Sequence, residues 1–320
     1  MRRLTIVGYH YVRDLNGTRF PRIKGLTVTA FREQLAYLAA HHTFVSIDDV
    51  LGATAHPGSG GTLPPAAVLL TFDDGYADHF DNVFPILIEN GIRGCFYPAA
   101  QPLVEQRVLE VNKIQFVLAA APDRRRLLQE ILALARELGG NDLRIDEEEL
   151  YGSSANVPRC FDVPEVAVIK RLLQCELPEH VRSAICQRLF AKYVTSDERG
   201  FASELYMSPD ELAFMSAEGM HIGSHGYAHL WLDRATPDVQ AADIDRSLAF
   251  LRAVGCGTEW WSFCYPYGGC SASVAAVLRS RGCRLGLTVR ASVADLDLDD
   301  PLVLPRLDTN DLPGMSSPVA

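Results

Sequence analysis

The stretch Ala67-Val-Leu-Leu-Thr-Phe-Asp-Asp-Gly75 decides the fold. Residues 67–72 form a continuous apolar run of strand length, a pattern typical of a parallel strand that is buried on both faces. A helical pattern follows at 76–90, and a second apolar run of strand length follows at 93–98. Strand, helix and strand in this order indicate a βαβ unit, and therefore an α/β fold with a mainly parallel sheet.

Residues 105–200 differ in character from the rest of the chain. They are rich in Leu, Ala, Arg and Glu, with apolar residues at helical spacing and few strand signals. Strand and helix patterns alternate again after residue 200. We therefore predict an α/β domain built from 1–104 and 201–320, and a long helical insertion at 105–200 that acts as a lid.

The composition is that of an ordinary globular protein with an acidic surface. Hydrophobic residues make up 48% and charged residues 22%, with a formal net charge of −10. An acidic surface repels a phosphate backbone, which argues against a nucleic-acid partner. No stretch reaches the roughly 18 apolar residues of a membrane helix, and the N-terminal apolar stretch is too short for a signal peptide. The eight cysteines form no CxxC pair, and several lie in apolar runs, so we expect free thiols and a cytoplasmic location.

Asp73 and Asp74 lie where the strand 67–72 ends. Two adjacent carboxylates are costly to bury there unless each has a partner. Ligands bind at the carboxyl ends of parallel strands in such folds. Neighbouring side chains at a strand end point in different directions, so one Asp can ligate a metal while the other faces a reacting water. The alternative for an isolated Asp-Asp-Gly is an Asx turn that caps the following helix.

His225 and His229 follow another predicted strand, 220–224, and are four positions apart. This spacing is common for two imidazoles on one metal, although a helix surface also produces it by chance. Together with the two aspartates, the histidines favour a divalent metal site. Imidazole and carboxylate ligands suit zinc (Zn2+) first, with cobalt or another transition metal as alternatives. His221 lies within the predicted strand 220–224 and is expected to pack below the site.

Three segments together resemble the NodB-type polysaccharide deacetylases, carbohydrate esterase family 4. Thr71–Gly75 matches the TFDDG motif of that family, and Ser224–His229 resembles its second motif, with three residues between the histidines instead of two. Phe263–Gly268 is similar to the third motif, in the form of the branch that acts in bacterial surface-polysaccharide biosynthesis. The resemblance covers 1–104 and 201–320, and it implies a distorted (β/α)7 barrel.

The resemblance also implies a role for each residue of these motifs. Asp74, His225 and His229 would hold the metal. Asp73 would be the general base that activates the attacking water. The backbone N–H of Tyr76 would help to stabilise the oxyanion. The implied reaction is metal-assisted hydrolysis of an acyl group on a sugar.

The chain departs from the family pattern at two places. Cys264 stands where typical members carry an Arg that orients the catalytic Asp, and no histidine follows His229 to serve as the general acid. We hypothesise that Arg306, in the C-terminal strand, replaces the missing Arg. His10, at the end of the first predicted strand, is the candidate general acid. The alternative for His10 is a strand-end histidine with structural contacts alone.

Aromatic residues near the motifs are candidates for stacking on sugar rings. Alternate side chains of a strand point into the core, so at most half of the cluster at 260–267 can line a groove. We predict that Tyr265, Pro266, Tyr267 and Trp231 bind the substrate.

The resemblance implies removal of an N-acetyl group from a sugar during biosynthesis of lipopolysaccharide, capsule or exopolysaccharide. With the expected cytoplasmic location, the substrate would be a nucleotide-linked or lipid-linked sugar. The motifs do not define the acyl group, so a sugar N-deformylase and an O-acetyl esterase are alternatives. The departures from the family pattern leave open a catalytically degenerate glycan-binding module, and the insertion leaves open an assembly scaffold. The sequence does not define the oligomeric state.

Overall fold

In the computed structural model, residues 2–54, 61–140, 143, 163–256 and 260–312 are described. The chain forms two compact units. The first comprises Met1–Asp14, Gly25–Arg107 and Ala202–Ala320, and the second comprises Leu15–Lys24 and Val108–Phe201. The sequence pattern assigned 15–24 to the first domain, whereas the structure includes this segment in the second unit. Parts of the two predicted regions, at 141–142, 144–162 and 313–320, lie outside the described residues.

The strands all belong to the first unit. They are β1 (Arg3–Tyr9), β2 (Thr43–Phe44), β3 (Ala67–Asp74), β4 (Cys95–Pro98), β5 (His221–Ile222), β6 (Trp261–Cys264), β7 (Cys283–Leu287), β8 (Ala294–Asp295) and β9 (Leu307–Asp308).

The helices occur in both units. They are α1 (Val28–His41), α2 (Ile47–Thr54), α3 (Phe84–Glu89), α4 (Ala100–Glu105), α5 (Glu110–Ala120), α6 (Arg124–Gly139), α7 (Pro164–Arg171), α8 (Glu179–Tyr193), α9 (Glu198–Leu205), α10 (Pro209–Ala217), α11 (Pro237–Ala253) and α12 (Ala272–Ser280). Two π-helical turns, His79–Val83 and Leu172–Glu176, precede α3 and follow α7. Within the described ranges, no helix is long and apolar enough to cross a membrane.

The strands confirm the predicted α/β fold and close into a distorted barrel. The main sheet has the order β5-β4-β3-β1-β8, with β2 paired to β3 and β9 paired to β1. All of these pairs are parallel except β1 with β8. The parallel pair β6-β7 is joined to this sheet by isolated bridges from Ser224 to Phe263 and from Leu287 to Leu304. Every residue of β3 is buried, as expected for a parallel strand that is covered on both faces.

The parallel strands bring several polar side chains to one rim of the barrel. Asp73 and Asp74 end β3, Cys264 ends β6, and His225 lies three residues beyond β5. Below this rim, alternate residues of the strands pack into two hydrophobic clusters. Leu4 and Ile6 of β1 belong to one cluster, whereas Val7 and Tyr9 belong to the other. Hydrophobic side chains therefore pack on both faces of the strands and support the residues at the rim.

The second unit is helical, and it includes Leu15–Lys24 because Arg22 and Phe20 pack there. The Arg22 guanidinium donates to the carbonyl oxygens of Ala119, Ala120 and Ala121 at the end of α5. These carbonyls have no partner within the helix, and a cation is favourable at this end of the helix dipole. The Phe20 ring lies 5.1 Å from the Phe116 ring. The lid role that the sequence pattern predicted for 105–200 stays a prediction.

Candidate metal centre and active site

Asp74, His225 and His229 bring three ligand atoms together at the end of β3. The Nε2 atom of each imidazole lies 3.4 Å from Oδ1 of Asp74, and the three ligand atoms lie within 4.8 Å of one another. All three residues are buried. Oδ1 of Asp74 is buried and has no hydrogen-bond partner in the described part of the chain. A buried carboxylate oxygen is costly without a partner, so this donor set fits a divalent metal ion of the kind that imidazole and carboxylate bind.

A backbone contact fixes the orientation of the His225 ring. Its Nδ1 lies 2.7 Å from the carbonyl oxygen of Cys264, so Nδ1 carries the proton and donates it to that oxygen. Nε2 then faces Oδ1 of Asp74. Metal-ligating histidines commonly donate their second ring N–H in this way, which fixes both the tautomer and the ring plane.

The backbone conformation of His229 is unusual for a residue that carries a side chain. Its φ of 55° lies in the left-handed region. Its ring packs edge-on against the rings of His225 and Tyr267, at centroid distances of 4.7 and 4.6 Å. Burial lowers the pKa of His229. The neutral form, which is the one that ligates a metal, is therefore favoured.

The turn after β3 directs Asp74 into the site. Asp74 has φ of 72° and Gly75 has φ of 79°. A Cβ atom on Gly75 would lie 2.7 Å from Cβ of Pro98, so glycine is needed for this close approach. The hydroxyl of Tyr76 donates to Oδ2 of Asp74 at 2.5 Å, which leaves Oδ1 directed at the two histidines. The oxyanion role predicted for the backbone N–H of Tyr76 stays a prediction.

Asp73 is paired with Arg306, and both side chains are buried. Nη1 of Arg306 donates to Oδ1 at 2.9 Å, and Nη2 donates to Oδ2 at 2.8 Å. The guanidinium is held in turn by the carbonyl of Thr288, which accepts from Nε at 3.0 Å. Burial alone would raise the pKa of Asp73, but the Arg306 charge overcomes it and holds that pKa well below its usual range. Asp73 is therefore an ionised carboxylate at neutral pH.

Cys264 contacts the same carboxylate. Its Sγ lies 3.3 Å from Oδ2 of Asp73. Burial raises the pKa of the Cys264 thiol, so it stays protonated and donates a weak hydrogen bond. Cys264 therefore contacts the Asp73 carboxylate through its side chain and the His225 ring through its carbonyl.

His10 lies at the end of β1 and is exposed. Tyr9 of β1 pairs with Phe72 of β3 in a parallel register, so His10 lies on the same rim as Asp73. The carbonyl of His10 accepts a hydrogen bond from Nε2 of His79 at 2.9 Å. The side chain of His79 is fully buried. The ring packs near that of Phe72, and burial lowers its pKa to about 4.

Two of the four predicted substrate-binding residues lie beside the metal centre. The rings of Trp231 and Tyr267 are stacked, with centroids 4.4 Å apart and planes 3° apart. Both side chains are half-buried. Tyr267 has a φ of 57°, so the backbone departs here from the direction of β6, and the Tyr267 ring lies against His229. Tyr265 and Pro266 are both buried, and their role in substrate binding stays a prediction.

Tyr265 is buried because it continues the line of β6 into the core. Its ring packs edge-on against Phe263, with centroids 5.1 Å apart. Its hydroxyl donates to the carbonyl of Leu302 at 2.9 Å. Strand alternation alone does not show where the chain leaves the strand, so it did not predict that Tyr265 continues into the core.

His221 lies outside the ligand set. Its Nε2 is hydrogen-bonded to the hydroxyl of Ser262 at 2.7 Å, and its ring stacks on Trp260 with centroids 5.1 Å apart. Burial lowers its pKa to about 4. This histidine is part of the packing around β5 and β6.

The sequence pattern did not predict the hydrogen bond from the hydroxyl of Tyr76 to the carboxylate of Asp74. A signal was available, because a phenol that is buried must find a hydrogen-bond partner. Tyr76 lies two positions after Asp74, where the sequence pattern predicts a helix to begin. A carboxylate at this distance is the nearest acceptor that such a hydroxyl could reach.

Comparisons with known proteins identify the family of this chain. A family model described as polysaccharide deacetylase matches residues 60–128 and 187–286. The poly-beta-1,6-N-acetyl-D-glucosamine N-deacetylase of Escherichia coli strain K12 is 40% identical over 82 residues. That alignment covers 25% of this chain and 12% of the E. coli protein. The chain thus matches only a small part of that relative.

Solved structures of similar fold cover nearly the whole chain. The Streptococcus pyogenes deacetylase PplD, in complex with acetate, has a TM-score of 0.59 and 16% identity, over 98% of this chain and 94% of that one. IcaB from Ammonifex degensii has a TM-score of 0.56 and 19% identity, over 97% and 92%. The BpsB deacetylase domain from Bordetella bronchiseptica has a TM-score of 0.55 and 15% identity, over 96% of each chain. At these identities the likeness concerns the fold.

Proposed function

The chain belongs to the polysaccharide deacetylase family, and we propose that it is a metal-dependent hydrolase that removes an N-acetyl group from a sugar. One observation carries the proposal. The three ligand atoms of Asp74, His225 and His229 converge beside Asp73, a buried carboxylate that Arg306 keeps ionised. A three-ligand site of this kind leaves coordination positions open, and a positioned base beside it is what hydrolysis requires.

Asp74, His225 and His229 would hold the metal ion, with zinc as the favoured ion and cobalt or another divalent transition metal as alternatives. The ion would supply a Lewis acid that polarises the acyl carbonyl and makes water more acidic. Asp73 would accept the proton of the attacking water at its carboxylate, since Arg306 keeps it ionised and oriented.

Two further groups would complete the reaction. The backbone N–H of Tyr76 would stabilise the oxyanion that forms from the acyl carbonyl. The exposed His10 would donate a proton to the leaving nitrogen as the carbon–nitrogen bond breaks. The products would be acetate and a sugar with a free amine.

The substrate would be an acylated sugar that stacks on the rings of Trp231 and Tyr267. The E. coli relative is named for poly-beta-1,6-N-acetyl-D-glucosamine, which supports an N-acetylated amino sugar. We place the reaction in biosynthesis of a surface polysaccharide, which could be lipopolysaccharide, capsule or exopolysaccharide. The sugar would be nucleotide-linked or lipid-linked.

We also propose a cytoplasmic location. Cys95, Cys186, Cys256, Cys264 and Cys283 are buried free thiols. Free thiols persist in a reducing compartment, whereas secreted proteins commonly form disulfides. Detection of the native protein in the periplasmic or secreted fraction of its host would contradict this location.

Other activities fit the same chemistry. A sugar N-deformylase or an O-acetyl esterase would use the same base and the same ligands. A catalytically degenerate glycan-binding module is a second class, favoured by the absence of a histidine after His229. The pairing of Asp73 with Arg306 favours an enzyme, because a binding module has no need of an ionised buried base.

The test is release of acetate and formate from a panel of nucleotide-linked and lipid-linked sugars carrying N-acetyl, N-formyl or O-acetyl groups. Zinc-loaded wild type would be compared with Asp73→Asn, and with Asp245→Asn as a control at an exposed carboxylate paired with Arg281. We expect acetate release by wild type and by the control, and none by Asp73→Asn. Release of formate alone would identify a deformylase, and absence of release despite bound metal would favour the binding module.

A further inference from the structure

The two metal-ligating histidines are held in different ways. The His225 ring is fixed by its own hydrogen bond to the carbonyl of Cys264. By contrast, Nδ1 of His229 is buried and has no hydrogen-bond partner among the described residues. The position of the His229 ring therefore depends on the backbone that carries it, and that backbone is in the left-handed region.

The peptide groups between the histidines have defined partners. The N–H of Tyr227 donates to Oδ2 of Asp243 at 2.8 Å, and the N–H of Ala228 donates to Oδ1 at 2.9 Å. Both oxygens of one carboxylate are thus bound to the two residues that immediately precede His229. These residues belong to the loop Gly226–Ala228 between the two histidines. On its other side, the carbonyl of Tyr227 accepts a hydrogen bond from the N–H of Gln101 at 2.8 Å.

The loop and Asp243 fit together closely. Asp243 lies in α11 and is 5% exposed. Gly226 has φ of 74°, and a Cβ atom on it would lie 2.7 Å from Oδ2 of Asp243. There is consequently no room for a side chain between the loop backbone and the carboxylate.

Neighbouring residues on the same face of α11 hold the flanking parts of the loop. Ser247, one turn after Asp243, is hydrogen-bonded through Oγ to Oγ of Ser224 at 2.5 Å. Ser224 Oγ also accepts from the N–H of Gly226 at 3.1 Å. Gln240 donates to the carbonyl of Leu232 at 2.8 Å. These polar residues are buried in a helix face that would otherwise be apolar.

We propose that Asp243 is a positioning residue for the metal centre: its carboxylate holds the backbone before His229 and so places the Nε2 atom of that histidine against Asp74. The proposal rests on the proposed function, because it concerns the same metal site. It also gives a reason for the third residue between the histidines, since the segment Gly226–Ala228 must reach α11 to be held.

The substitution Asp243→Asn tests this with little change in shape. An amide offers one acceptor oxygen, and its NH2 group would face the second backbone N–H. One of two charge-assisted hydrogen bonds is then lost and replaced by an unfavourable contact. Loss of a group that orients a metal ligand typically weakens metal binding 10- to 100-fold. We expect about a 10-fold rise in the Kd for zinc.

The matched control is Asp245→Asn, in the same helix. Asp245 is exposed and pairs with Arg281. Zinc affinity of full-length wild type, Asp243→Asn and Asp245→Asn would be measured by competition with a chelator, together with the melting temperature of each metal-free protein. The absorption spectrum of each cobalt-loaded protein would report the geometry of the ligands. We expect a higher Kd and a changed cobalt spectrum for Asp243→Asn, and neither change for the control.

Unchanged zinc affinity and an unchanged cobalt spectrum in Asp243→Asn would overturn the proposal, even if its melting temperature fell. If Asp243→Asn did not fold, Asp243→Glu would replace it. This variant keeps the charge but moves the carboxylate relative to the N–H groups of Tyr227 and Ala228, so it should weaken zinc binding in the same direction. Unchanged binding there would overturn the proposal. Failure of wild type to bind zinc or cobalt would instead contradict the proposed function, so the two failures are distinguishable.

Discussion

The guanidinium of Arg306 bonds to both carboxylate oxygens of Asp73, although 233 positions separate the two residues in the sequence. The barrel makes this possible, because β9, which follows Arg306, pairs with β1, and β1 pairs with β3, which ends at Asp74. Cys264 lies against the same carboxylate. Its small thiol leaves room for a guanidinium that arrives from another strand.

Replacing Arg306 with Gln should make Asp73 a less effective general base while leaving its carboxylate in place. Burial would then raise the pKa of Asp73 without the largest opposing charge, so the acid limb of the pH dependence of kcat/KM should move to higher pH. Loss of orientation should lower kcat at neutral pH about 100-fold. Arg290→Gln is the control, since Arg290 is an exposed arginine paired with Asp299. An unshifted acid limb in Arg306→Gln would contradict the assignment.

Replacing Tyr76 with Phe should weaken metal binding while the fold is retained. The hydroxyl holds Oδ2 of Asp74, and without it the carboxylate is free to rotate away from the histidines. We expect the Kd for zinc to rise about 10- to 100-fold. Tyr97→Phe is the control, because the buried hydroxyl of Tyr97 is bonded to Ser262 and not to a ligand. Equal zinc affinities for the two variants would show that the Tyr76 hydroxyl does not position Asp74.

Replacing Trp231 with Ala should affect substrate binding more than turnover. The stacked rings of Trp231 and Tyr267 lie beside the candidate metal centre, and aromatic contacts of this kind contribute about 0.5–1.5 kcal/mol. We expect KM to rise about threefold to tenfold, with kcat little changed. Trp260→Ala is the control, since Trp260 stacks on His221. A fall in kcat with KM unchanged would argue against a sugar-binding role.

The buried His79 should make the stability of the metal-free protein depend on pH. Its pKa is lowered from 6.5 to about 4 by burial, so between these values the unfolded chain binds a proton that the folded chain does not. The free energy of unfolding should therefore fall as the pH falls from about 6.5 to about 4, by up to about 3 kcal/mol from this residue.

The measurement is the free energy of unfolding in urea at pH 7 and at pH 4.5, for wild type and for His79→Gln. Glutamine can still donate to the carbonyl of His10 but does not titrate. The pH dependence should be smaller in His79→Gln than in wild type and in a His41→Asn control at an exposed position. Identical pH dependence in all three proteins would contradict a buried neutral His79.

The sequence predicted those residues whose position follows from strand ends. Asp73, Asp74, His225 and Arg306 all lie at or just beyond the carboxyl ends of predicted strands or in the last one, and parallel strands bring such residues to one rim. The α/β fold followed from the same pattern of buried runs. The local sequence pattern was sufficient for these residues, because a buried run of strand length shows where the strand ends and which residues follow it.

Other features depend on tertiary contacts that no local pattern encodes. His79 is buried by aromatic rings from β3 and β4, and Tyr265 is buried because the chain turns only at Pro266. The segment Leu15–Lys24 joins the second unit because Arg22 caps α5, almost a hundred positions away. In the sequence, nothing distinguishes Asp243 from the other acidic residues of an amphipathic helix. Only the structure shows that it faces inward, towards the loop.

The central claim is that bound metal at Asp74, His225 and His229 is required for hydrolysis of an acetylated sugar. The most direct test titrates metal-free protein with zinc and measures bound metal and acetate release on the same samples, with a substrate identified from the panel. Acetate release should rise in proportion to bound metal and level off at about one ion per chain. Full acetate release from metal-free protein, or release that does not follow metal binding, would contradict the account.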